Sequence, residues 1–226
     1  MPAFVLVHSP LGAPYTWEPV ARELTELGAR CAVPTLSLEP DDEGKYWPRH
    51  VEAMTLDADD FEGAVILVAH SGAGGLMAEA AKRIGDRAAG VCFVDSPLPH
   101  PGRSRLKAFG DEAEAEAFRA RAVGGLVPPF PDELLAQLIA DETERTAYME
   151  SQRPMPLAIY EEALPTTELP AVPAAYLQFS PPYDSAGADA RARGGRYRHI
   201  PGSHFLLLDH PRAVAETLLD WFKERA

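Results

Sequence analysis

The segment Val65-Ile66-Leu67-Val68-Ala69-His70-Ser71-Gly72-Ala73-Gly74-Gly75 constrains this chain more than any other. An uninterrupted apolar run of this length reads as a strand buried on both faces, the kind found in parallel sheets covered by helices. It passes at once into a serine set among small residues, and a helical pattern then continues to about Ile84. A serine at an abrupt strand-to-helix turn, with small residues two before and two after it, matches a nucleophile elbow, whose tight backbone leaves no room for bulk. Alanine occupies both flanks here, at Ala69 and Ala73, where glycine is usual. Such a turn lifts the hydroxyl to the sheet edge and presents N–H groups, Gly72 first, to a developing negative charge.

The rest of the chain supplies the remaining layers. Ala3 to Val7, Cys31 to Val33, Ala64 to Ala69, Ala89 to Val94, Ala174 to Phe179 and Tyr197 to Ile200 read as strands. Helical patterns lie between them: Trp17, Val20, Ala21, Leu24 and Leu27 recur at helical spacing before Gly28, Tyr46 to Leu56 follows, and Pro211 to Arg225 closes the chain. The alternation predicts an α/β fold, a mainly parallel sheet of about six strands flanked by helices. At 226 residues the chain is expected to form a single domain over 1–226. Residues 99–170 lack strand-like runs; helical stretches at Asp111 to Val123, Asp132 to Ile139 and Glu142 to Ser151 mark a helical cap inserted before the penultimate strand.

With 34 acidic against 21 basic residues the net charge is −13, which argues against nucleic acid or anionic membrane as a partner. No apolar run reaches the ~18 residues of a membrane span and the N-terminus lacks a basic leader, so the expected location is cytoplasmic. Cys31 and Cys92 read as buried free thiols. Neither a metal-ligand spacing among His50, His100, His199 and His210 nor a dinucleotide or phosphate loop is present, so no metal or cofactor is expected. The partner is a small-molecule substrate, and the chain is expected to act as a monomer or homodimer.

A serine nucleophile needs a base, and in folds built on this elbow a histidine follows the last strand. His204, in Ile200-Pro201-Gly202-Ser203-His204-Phe205, stands there. Together His8-Ser9-Pro10-Leu11-Gly12-Ala13, Trp17-Glu18-Pro19-Val20, Ala69-His70-Ser71-Gly72-Ala73 and Pro201-Gly202-Ser203-His204-Phe205 resemble the α/β-hydrolase superfamily, and most closely its small branch of plant methyl-esterases and hydroxynitrile lyases. The resemblance spans Phe4 to Phe222.

The resemblance implies an α/β-hydrolase fold and a Ser71, His204 and acid triad acting on an ester or thioester. It implies Asp184, in the loop after the penultimate strand, as the acid, with Asp189 and Asp95 in reserve. The oxyanion donors implied are Gly72 N–H and a loop amide two residues after His8. That loop position is Pro10, which has no N–H, so Leu11 N–H or the Ser9 hydroxyl is expected to substitute. This departure keeps open a non-hydrolytic reaction, such as elimination, C–C cleavage or cyclisation, and a silent ligand-binding role. Ser9, Pro10, Leu11, His70, Phe130 and Phe205 are expected to contact substrate, although His70 is also expected to pack beneath the elbow. Phe109, Phe118, Leu126, Leu134, Leu135, Leu138, Tyr148 and Met149 are further candidates for the cavity wall.

Overall fold

The computed structural model describes residues 1–108, 111–166, 168–169 and 171–224. The chain begins with strand β1 (Ala3–Val7), helix α1 (Glu18–Glu26), β2 (Arg30–Ala32), α2 (Trp47–Asp59), β3 (Val65–His70), α3 (Met77–Ile84) and β4 (Ala88–Val94). It then leaves the sheet through α4 (Glu112–Ala120), β5 (Leu126–Val127), α5 (Asp132–Leu138), α6 (Glu142–Ser151), β6 (Met155–Pro156) and α7 (Ala158–Glu161). It returns as β7 (Ala174–Gln178), α8 (Asp184–Ala192), β8 (Arg196–His199), α9 (Leu206–Asp209) and α10 (Pro211–Phe222).

The six-stranded sheet has the order β2-β1-β3-β4-β7-β8, and every neighbouring pair is parallel. The period of two divides each central strand between two cores. Val5, Val7, Val65, Leu67 and Ala69 pack beneath α2 and α3 with Met54, Leu76 and Ala80. Phe4, Leu6, Ile66, Val68 and Cys92 face Trp17, Leu24, Val214 and Leu218 of the α1 and α10 side. Burial on both faces is why these strands read as continuous apolar runs. Cys92 is buried, Cys31 is half-buried, and both are free.

Within 99–170 the absence of strands does not hold. Leu126 and Val127 pair antiparallel with Pro156 and Met155. Two residues per strand are too few to show an alternation, and Val127 and Met155 are buried under the local apolar cluster. Helix α8 was also unexpected, because it buries only Gly187 and Ala190 and leaves no apolar stripe to read.

Candidate active site

All six residues of β3 are buried, so the chain can reach the surface only by turning sharply at its end. Ser71 makes that turn at φ 55°, and a 3-10 turn over Ser71–Leu76 leads into α3. Among the described residues, Ser71 and Asp95 (φ 42°) are the non-glycine residues with positive φ. Strained backbone of this kind persists where its surroundings hold it. Ser96 O–H donates to the Ser71 carbonyl at 2.6 Å, and Tyr176 O–H donates to the Ser96 carbonyl at 2.8 Å.

Asp95, at the end of β4, is fully buried. Its Oδ1 accepts the N–H groups of Phe179 (2.8 Å) and Ser180 (3.0 Å), and its Oδ2 accepts Ser180 O–H (2.5 Å) and His204 Nδ1–H (2.8 Å). Four donors offset the cost of burying a carboxylate. Donation from Nδ1 leaves His204 Nε2 as the basic nitrogen. The His204 ring lies between two others: His70 stacks on it at 4.4 Å and Tyr183 at 5.2 Å. His70 Nε2–H also donates to the His204 carbonyl at 3.0 Å.

The acid beside His204 is therefore Asp95, and Asp184 is not. The 3-10 turn Pro181–Tyr183 carries Asp184 past the loop to the exposed start of α8, where it accepts a hydrogen bond from Gln178 Nε2. Ser180 occupies the loop position instead and serves Asp95. Asp189, exposed on α8, lies at the rim of a cavity of about 470 Å³.

Gly72, His204, Tyr160, Tyr183, Arg105 and Phe118 are among the residues lining that cavity. Of the expected wall residues only Phe118 lines it, and Phe109 lies outside the described residues. Ser9, Pro10, Leu11, His70, Phe130 and Phe205 do not line it. Leu11 is buried against Leu106 and Ile159. Phe205 packs on Tyr148 at 4.9 Å, and Phe130 sits under the Arg121 guanidinium at 5.2 Å. His8 is buried behind its loop, donating from Nδ1 to the Ser9 carbonyl (2.7 Å) and accepting Leu36 N–H at Nε2 (3.4 Å).

Leu11 N–H, the expected substitute donor, is directed to Ser9 Oγ at 3.4 Å. Ser9 Oγ in turn lies 2.9 Å from Tyr160 Oη. Ser71 Oγ lies 3.5 Å from Tyr183 Oη, and burial raises that phenol above its ordinary range, which keeps it protonated. Arg105, almost fully buried, donates from Nε to the Gly72 carbonyl (3.1 Å) and from Nη1 to the Ile159 carbonyl (2.8 Å), tying the elbow to α7. Tyr183, Tyr160, Arg105 and Ser180 were missed in the sequence. A tyrosine directly before the expected acid was the one available signal, and the others carry no local pattern.

Among solved structures, the chain is similar to an extracellular alpha/beta-hydrolase from a Paenibacillus species, described as sharing structural and functional homology with tobacco salicylic acid binding protein 2. That likeness has a TM-score of 0.78 at 20% identity and covers 97% of this chain and 98% of that one. It is also similar to tomato methylketone synthase I complexed with 2-tridecanone (TM-score 0.76, 15% identity, 100% and 99% covered). A methylesterase from Arabidopsis gives a TM-score of 0.73 at 17% identity, with 99% of each chain covered. At these identities the likeness establishes the fold. No curated protein matches the sequence. Residues 4–217, from β1 into α10, match the Alpha/beta hydrolase family, and the chain belongs to it.

Proposed function

We propose that this chain is a serine hydrolase acting on an ester or thioester of a small, partly apolar molecule. The observation that carries the reading is the buried Asp95 carboxylate 2.8 Å from His204 Nδ1, on the loop beside an elbow serine held at φ 55°. Asp95 fixes the tautomer that leaves Nε2 free to take a proton and stabilises the imidazolium formed. In this scheme Ser71 Oγ attacks the acyl carbon, its proton passes to His204 Nε2, and Gly72 N–H binds the oxyanion. The leaving group takes the proton back from His204, and water then cleaves the acyl-enzyme by the same route. The cavity of about 470 Å³, walled by Leu98, Phe118, Tyr160 and Tyr183, suits a ligand of this size and polarity.

A fluorophosphonate probe should label wild-type protein at Ser71, and p-nitrophenyl acetate should be turned over. Ser71→Ala should lose both, and His204→Ala should slow both by about 10³-fold or more. A folded wild-type protein that neither labels nor turns over ester would reject the hydrolase reading.

The 3.5 Å approach of Tyr183 Oη to Ser71 Oγ favours one second reading. In it Ser71, His204 and the phenol form an acid-base set for elimination, C–C cleavage or cyclisation, with no acyl-enzyme. The absence of labelling in a folded protein would point there.

A further inference from the structure

We propose that the phenolic hydroxyl of Tyr160 is the second oxyanion donor, standing in for the amide that Pro10 lacks. The inference rests on the Ser71 hydrolase reading above. When Ser71 Oγ bonds to the acyl carbon, the carbonyl π pair becomes an oxyanion lone pair, and one N–H alone leaves much of that charge unsolvated. Gly72 N–H is the first donor. On the facing loop, Pro10 has no N–H and Leu11 N–H is directed to Ser9 Oγ.

Tyr160 is placed for the vacant role. Its hydroxyl lies 2.5 Å from where a Cβ on Gly72 would stand, so it overhangs the residue whose amide is the first donor. It shares the cavity wall with Gly72 and His204. The ring stacks on Phe118 at 4.8 Å and is almost wholly buried, which fixes the hydroxyl before substrate arrives. Burial raises its pKa, so the group is a protonated donor at neutral pH.

Ser9 completes the device. Its hydroxyl and that of Tyr160 are 2.9 Å apart, and either is able to donate to the other. When Tyr160 O–H turns to the oxyanion, Ser9 O–H donates to Tyr160 Oη, and no polar atom of the pair is stranded. Tyr160 gives up no proton; the proton of Ser71 goes to His204 Nε2 and leaves with the departing alcohol or thiol.

The test is Tyr160→Phe, which keeps the ring and removes only the hydroxyl. Its kcat should fall on the order of 10²-fold with KM little changed, and the affinity of a trifluoromethyl ketone, whose serine adduct carries an oxyanion, should fall by a similar factor. Adding Pro10→Gly to Tyr160→Phe restores a backbone donor and should recover about tenfold, a gain larger than the same change brings to wild-type protein. A Tyr160→Phe variant within about threefold of wild type, or a loss that neither Pro10→Gly relieves nor ketone affinity mirrors, overturns the assignment. The two readings fail separately. If Ser71→Ala turns over as fast as wild type, the hydrolase reading falls. If turnover depends on Ser71 but ignores Tyr160→Phe, only the Tyr160 assignment falls.

Discussion

At the scale of single residues, Ser71 and His204 could be read from the chain because each has a local context: a buried strand meeting small residues, and a loop before the last helix. Asp95 has only its place at the end of a strand, which put it in reserve behind Asp184. Its four donors come from Phe179, Ser180 and His204, and the contact with His204 joins positions 109 apart in sequence. Only the folded chain collects them. On the proposed mechanism, Asp95→Asn should lower ester turnover by about 10⁴-fold, because the amide disfavours the Nδ1–H tautomer of His204. Asp184→Asn and Asp189→Asn, on an exposed helix, should stay within about threefold of wild type. Steady-state kinetics on the three variants checks this, and equal losses for Asp95 and Asp184 would contradict it.

At the scale of elements, the central strands β1, β3, β4 and β7 were legible because each is a short, buried, largely apolar run, whereas the edge strands β2 (Arg30-Cys31-Ala32) and β8 (Arg196-Tyr197-Arg198-His199) carry polar residues and begin one residue before the expected bounds. The β5–β6 pair, α8 and α9 were not: two to four residues give no countable period in β5, β6 and α9, and the nine residues of α8 carry no large apolar side chain. The elbow itself depends on how closely its turn lies on the end of β4. A Cβ on Gly74 would run into Ser96 Oγ and the Pro97 carbonyl, and Ser96 is the residue that holds the Ser71 carbonyl. Gly74→Ala should therefore destabilise the fold by about 1–3 kcal/mol, with a Tm lower by several degrees. Gly75→Ala meets only the flexible end of Leu164 and should cost less. Thermal unfolding of the pair tests the distinction, and equal Tm shifts would remove the special role of the Ser96 contact.

At the scale of the whole molecule, three imidazoles are sealed inside the fold. Burial pushes His8 down to about 4 and His50 to about 3, and holds His70 well below its ordinary value. The unfolded chain takes up protons on these groups below about pH 6.5, while the folded chain keeps them neutral. Stability present at neutral pH is thus lost as pH falls from about 6.5 towards 4, by up to about 1.4 kcal/mol per pH unit for each group. The urea midpoint should decline steadily over that window, and a midpoint constant from pH 7 to 5 would refute it. By itself the sequence determined the layered α/β fold, the tight serine turn after β3 and the histidine-bearing loop after the last strand, because burial periodicity and turn chemistry are local properties of the chain. Tertiary structure alone decided which carboxylate meets His204, which side chains wall the cavity and where the phenols lie. Those depend on which distant residues the parallel sheet brings to one edge, and a strand-end aspartate or a buried tyrosine looks the same in sequence whether or not it reaches that edge.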